Sequence, residues 1–196
     1  MIDVGAKYDK IAGEYLKTKT DDTLIFARKL EEQLEPGSRI LDAGCGAGIP
    51  IAKYLSGKFE VFGIDISAKQ IELAKRLVPN AKFKKADMLE PGFENEYFDG
   101  IICMYSLIHV DRRKHLEILR KFYELLKTPG YLLVCMHLEE SEGEEDYLGT
   151  KMFWSGYGRK RNIELLKKCG FTILWEKDWA NPRDSNDRHL FLLCGK

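Results

Sequence analysis

The chain reads as an α/β protein with a doubly wound, mostly parallel seven-stranded sheet that ends in an antiparallel C-terminal hairpin. From residue 39 to residue 137, apolar strand-like runs alternate with amphipathic helical stretches. That is the pattern of a parallel sheet covered by helices on both faces. Three glycines follow the first strand in Ile40-Leu-Asp-Ala-Gly-Cys-Gly-Ala-Gly48, where a tight strand-to-helix turn leaves no side chain to hold a ligand off the backbone. The tail departs from the alternation. Two strand-like runs, Phe171–Trp179 and His189–Cys194, are joined by the polar loop Ala180–Arg188, and strands joined so directly pair antiparallel.

The elements follow in order. Tyr8 to Gln33 is helical in pattern, and Glu35-Pro36-Gly37 breaks it. Strand one is Arg39–Asp42, and Pro50 suits the first turn of the helix that ends near Gly57. Strand two is Glu60–Asp65. Ser67-Ala-Lys-Gln70 is a capping box that opens the next helix, and Pro79 stops that helix. Strand three is Ala81–Ala86. Strand four, Asp99–Tyr105, is almost continuously apolar, as a strand buried on both faces should be. A helix capped by Asp111 covers Arg112–Lys127 and carries His115 on its solvated face; strand five is Tyr131–His137. Glu139–Asp146, with six acids in eight residues, reads as a solvated loop. A last helix spans Asn162–Cys169.

Composition narrows the function classes. Thirty-one basic and thirty-one acidic side chains cancel, so no global field draws in nucleic acid or an anionic membrane. The basic clusters Arg112–Lys114 and Arg159–Arg161 are offset by nearby acids and read as solvated faces. No apolar stretch has the length of a membrane span, and the N-terminus has no secretory pattern. The five cysteines are odd in number and contain no Cys-x-x-Cys, which points to buried thiols in a reducing cytoplasmic setting and to no metal centre. The expectation is a cytoplasmic protein with no nucleic-acid or membrane partner.

In a doubly wound sheet the ligand lies at the carboxyl ends of the strands, near the switch point. Strand one ends in Asp42 and the glycine turn. Strand two ends in Asp65, about twenty residues beyond that turn, where a carboxylate can accept from ribose hydroxyls. Strand three ends in Asp87-Met88, where a carboxylate and a backbone N–H can meet an adenine. Strand four ends in Tyr105 and leads to His109, whose ordinary pKa near neutrality makes it the candidate catalytic residue. Met152–Tyr157 is rich in aromatics and follows the acidic stretch on the same rim. Its Trp154 and Tyr157, with His189, are candidate substrate contacts for a cationic or amine acceptor. A dinucleotide fingerprint would need a glycine where this chain has Ile49, and no Tyr-x-x-x-Lys pair occurs, so a nicotinamide-dependent oxidoreductase is the weaker alternative.

These motifs together resemble the class I S-adenosylmethionine-dependent methyltransferases of the small single-domain, Rossmann-like type. The similarity rests on Tyr8-Asp-Lys-Ile-Ala, Ile40–Gly48, Gly63-Ile-Asp-Ile-Ser67, Ala86-Asp-Met88, Phe98-Asp-Gly-Ile-Ile102 and Leu125–Leu132, with Tyr131 where the family has a second glycine. The resemblance implies S-adenosyl-L-methionine as cofactor. Asp42, Gly44, Gly46 and Gly48 would hold its methionine end, Asp65 and Ile66 its ribose side, and Asp87 and Met88 its adenine, with Tyr105 at the pocket wall. Tyr8 and Tyr15 would close over it as a lid. One domain over 1–196 is expected, with a helical lid (1–35), a cofactor-binding core (36–138) and a substrate-side loop and hairpin (139–196). The acceptor expected is a small molecule. Strand four lacks the Asn/Asp-Pro-Pro-Tyr/Phe pattern of amino-group base methylation, and no Pro-Cys nucleophile occurs. A protein that binds the cofactor without turning it over stays open at this level.

Overall fold

The structure is a computed structural model, which describes residues 3–181 and 184–196. Helix α1 (Val4–Lys17) and α2 (Leu24–Glu31) precede β1 (Arg39–Ala43), α3 (Ile51–Leu55), β2 (Glu60–Asp65), α4 (Ala68–Leu77), β3 (Lys82–Lys85) and β4 (Phe98–Cys103). Then come α5 (His115–Leu125), β5 (Leu126–His137), β6 (Ser141–Tyr147), β7 (Thr150–Gly156), α6 (Arg159–Cys169), β8 (Thr172–Asn181) and β9 (Asp184–Gly195).

Seven strands form one sheet in the order β3-β2-β1-β4-β5-β9-β8. The first five are parallel, and β9 runs antiparallel to both β5 and β8. The order reverses between β1 and β4, so the switch point lies where the glycine turn and Tyr105 emerge together. Ser106 ties these two ends, its Oγ donating to the Ala43 carbonyl at 2.8 Å.

Each central strand splits its side chains between two cores, as the period of two requires. Ile40, Ile102, Leu133 and Phe191 pack against Phe26 and Leu30 of α2, Leu55 of α3 and Ile71 of α4. Their neighbours Leu41, Ile101, Leu132 and Leu192 pack against Ile118, Leu119 and Phe122 of α5 and Leu165 and Leu166 of α6. Four cysteines are buried and Cys169 is half-buried, all as thiols. Among the described residues, no helix is long and apolar enough to cross a membrane.

Three expectations are corrected. The Tyr8–Gln33 helix is two helices, separated by Thr18–Thr20 and a short 3-10 turn at Asp21–Thr23. Thr18 Oγ1 donates to the Tyr15 carbonyl, a side chain-to-backbone bond that ends α1. The acidic stretch is a strand, not a loop: Ser141–Tyr147 pairs with Thr150–Gly156 as a separate two-stranded ribbon. Its tip, Leu148-Gly149, has φ +49° and +79°, the pair of positive values that a two-residue hairpin turn needs. His115 is not on a solvated face. It is buried, with Nε2 donating to the Val110 carbonyl at 2.9 Å. Asp111 does cap its turn, accepting from the Arg113 N–H at 2.9 Å.

Phe122 is fully buried where α5 meets the sheet. Phe122→Ala is expected to cost about 4 kcal/mol in urea unfolding, and a loss below about 1 kcal/mol would contradict this packing.

Candidate active site

The glycine turn after β1 is held against the end of β2. The Gly44 and Cys45 N–H groups both donate to the Ile64 carbonyl, at 2.8 and 2.9 Å, and the Gly46 N–H donates to Asp65 Oδ2 at 2.9 Å. The glycines serve different ends. A Cβ on Gly44 would fall 2.2 Å from Ser106 Cβ, so strand ends pressed together exclude a side chain there. A Cβ on Gly46 would meet nothing closer than Gln70 Oε1 at 3.7 Å, so its bare backbone faces open space. Gly48 is a correction: a Cβ there would meet Val78 and Phe83 at 3.0 and 3.1 Å, and it lines neither of the two cavities at this turn, so its role is the fit of α4 onto the sheet.

Two cavities meet at this turn. The larger, about 1050 Å³, lies over Asp42, Met104 and the ends of β5 and β9, roofed by α1 and the β6–β7 ribbon. The smaller, about 110 Å³, runs past Asp65, Ile66, Asp87 and Met88. Tyr8, Tyr15, Gly44, Gly46, Tyr105 and His109 line both and mark the junction. Trp154 and His189 line the larger cavity. Tyr157 is a second correction. It lines neither cavity; its ring packs against the core beside His115, beneath the guanidinium groups of Arg112 and Arg161.

The electrostatics centre on two carboxylates. Asp42 is 3% exposed and accepts no hydrogen bond from any described residue. Burial pushes its carboxyl up to about 7, nearby Asp65 pushes the same way, and Lys19 opposes both. Asp65 is also raised by burial, against the pull of the Ser67 and Gly46 N–H groups that donate to it. Lys19 lies 3.6 Å from the Tyr15 ring centroid, and burial pulls its ammonium down to about 8. Gln70 is 1% exposed, and neither atom of its amide has a partner among the described residues. An orphaned buried donor or acceptor costs about 1–3 kcal/mol. An ammonium beside Asp42, an anion beside Lys19 and hydroxyls beside Asp65 and Gln70 would satisfy all four groups.

His109 is pinned on both sides. Its Nδ1 donates to the Phe153 carbonyl of β7 at 2.8 Å, which leaves Nε2 to accept from the Tyr8 hydroxyl of α1 at 2.8 Å. Burial pulls its pKa down to about 4, so the ring is neutral near pH 7. It is therefore a hydrogen-bonding pivot between the two roof pieces, not a base poised at neutrality. Lys19 and Gln70 are functional candidates that sequence reasoning passed over. Lys19 carries no motif. Gln70 was absorbed into the capping box, and only half of that box forms: Ser67 Oγ accepts from the Gln70 N–H at 3.0 Å, but the Ser67 N–H goes to Asp65.

Residues 40–130, just under half of the chain, match the family model described as a methyltransferase domain. The chain is 28% identical over 168 residues to 24-methylenesterol C-methyltransferase 2 of Arabidopsis thaliana, covering 76% of this chain and 46% of that protein. It is 27% identical over 184 residues to phosphoethanolamine N-methyltransferase 1 of Zea mays, covering 88% and 36%. The chain thus spans less than half the length of either relative. Its fold matches the Burkholderia thailandensis 1,6-didemethyltoxoflavin-N1-methyltransferase, solved with its substrate and S-adenosylhomocysteine, at TM-score 0.71 and 18% identity, covering 100% of this chain and 92% of that one.

The raised Asp42 pKa sets the sign of a pH effect in the protein without ligand. Because the folded value, about 7, lies above the unfolded one, Asp42 costs nothing below pH 4 and destabilises progressively as pH rises to about 7. Asp42→Asn should therefore raise unfolding stability by about 2 kcal/mol at pH 8 and by little at pH 4.5. Urea titrations at the two pH values check this, and an equal effect at both would contradict it.

Proposed function

We propose that the protein transfers the methyl group of S-adenosylmethionine to a small-molecule acceptor held in the larger cavity. The observation that carries this reading is the junction. A cleft edged by Asp65, Ile66, Asp87 and Met88 opens beside Tyr8, Tyr105 and His109 onto a separate chamber large enough for a second molecule. A protein that only bound the cofactor would have no use for that chamber.

The residues divide the binding work by chemistry. Asp42 takes the amino group of the methionine end and Lys19 its carboxylate, which relieves the charge each carries in a dry place. Asp65 accepts from the ribose hydroxyls through the lone pairs that Gly46 and Ser67 leave free, and Gln70 completes that contact. Asp87, whose Oδ1 accepts from the Leu89 N–H at 2.9 Å, turns its other oxygen toward the adenine amine. Ile66, 38% exposed, offers an apolar face to the ring.

When bound, the cofactor supplies an electrophilic methyl on a sulfonium, so the protein has only to align a nucleophile and exclude water. Tyr8 and His109 close the junction with a bond between α1 and the end of β4. Tyr105 stands beside them in a backbone with φ +51°, a conformation a bulky residue adopts only when its surroundings enforce it. Its ring packs edge-on to His189 at 5.0 Å, which fixes the wall between the two cavities.

Asp65→Ala should weaken S-adenosylmethionine binding about a hundredfold, because it strands two hydroxyls and the Gly46 and Ser67 amides. Calorimetry tests the binding, and transfer of a labelled methyl to a cell extract tests the activity. Label confined to macromolecules, or no transfer by a folded protein that binds the cofactor, would overturn the reading.

A further inference from the structure

We infer that the acceptor is an organic amine, recognised by the acidic and aromatic half of the larger cavity; this rests on the function proposed above. Apart from Lys19, Asp22 and Asp42, the charged residues that line that chamber are four acids (Glu139, Glu140, Glu145 and Asp146) and one cation, Arg188. Glu140 is paired with Arg112 and Asp146 with Lys151, at 2.6 and 2.9 Å. Glu139 and Glu145 have no cation among the described residues, so their charge is free to act on a ligand. The acids come from two separate elements, the end of β5 and the ribbon, and converge only because the ribbon folds back over the sheet.

The walls beneath the acids suit the same guest. Trp154 lies 4.3 Å from His109 and 5.7 Å from Tyr147, ring centroid to ring centroid, and Tyr105 closes the opposite side. Aromatic faces attract an ammonium and hold it without hydrogen bonds. Two of the imidazoles, His109 and His137, add no opposing charge, since burial holds both down to about 4. A carboxylate or phosphate acceptor would meet the acids with only exposed Arg188 to offset them. A neutral phenol or thiol would gain nothing from them.

The chemistry is consistent with this chamber. The amine enters as a cation, drawn by Glu139 and Glu145, and gives its proton to solvent before the roof closes. Its nitrogen lone pair then forms the bond to the methyl carbon as the carbon–sulfur bond breaks, the electron pair staying on sulfur. The methylated product is again a cation and returns toward the acids.

Calorimetry on protein saturated with S-adenosylhomocysteine tests the inference, using phenethylamine and 3-phenylpropionate as probes of similar size and opposite charge. Phenethylamine should bind at least tenfold more tightly. The double variant Glu139→Gln/Glu145→Gln should weaken it about fivefold, as two exposed carboxylates can, while leaving S-adenosylhomocysteine affinity unchanged. Equal or reversed preference, no phenethylamine binding, or an unaffected double variant would overturn the amine assignment. Failure of S-adenosylhomocysteine itself to bind would instead overturn the methyltransferase reading.

Discussion

The site depends on two carboxylates held in a dry place. Asp42 and Asp65 stand at the ends of adjacent parallel strands, so neither can move away without breaking the sheet. Among the described residues, none fully neutralises them. Asp65 takes two backbone N–H groups, Asp42 takes none, and one half-buried lysine serves both. In this poorly solvated space burial raises both pKa values, and the Asp65 charge raises that of Asp42 further. The folded chain tolerates this because the surrounding cores are large and regular, and the cost is relieved when a ligand brings its own ammonium and hydroxyls.

The second dependence is the roof. Helix α1 is fastened by two adjacent residues: Asp9, whose Oδ1 accepts from Ser67 Oγ and the Lys69 N–H at the start of α4, and Tyr8, whose hydroxyl donates to His109. The ribbon is fastened by the same histidine through Phe153, by Ser155 Oγ accepting from the Arg112 N–H at 3.0 Å, and by Lys7 on Glu144 at 3.4 Å. The cover over the cofactor end and the cover over the acceptor end therefore share a buried pin, and they also touch directly through Lys7 and Tyr15.

Much of this was legible in the sequence because the signals were periodic or spaced. The parallel sheet follows from apolar runs alternating with amphipathic stretches. Asp65 follows from its distance to the glycine turn, and the β8–β9 pairing follows from two strand-like runs with only a polar loop between them. The ribbon was not legible. Ser141–Tyr147 is exposed along most of its length, so no alternation of apolar residues marks it as a strand. Its partner carries the burial through Met152 and Ser155. Gly48 was misread for a related reason: a glycine kept small by a neighbouring helix looks, in sequence, like one kept small by a ligand. Tyr157 shares a short segment with Trp154, but just beyond β7 it packs beside His115 of α5 and Arg161 of α6. Lys19 and Gln70 acquire meaning only from the acids and the open space that the fold sets beside them.

The most direct test of the account is the proton exchanged when S-adenosylmethionine binds. Asp42, near pKa 7 in the free protein, must be ionised to hold an ammonium. Binding measured calorimetrically at pH 6.5 in two buffers of different ionisation enthalpy should release a proton from the protein, and the affinity should fall as pH drops below about 7. Asp42→Asn should abolish that release. Binding with no proton release, or with the same release in the variant, would contradict the claim that this buried carboxylate receives the cofactor.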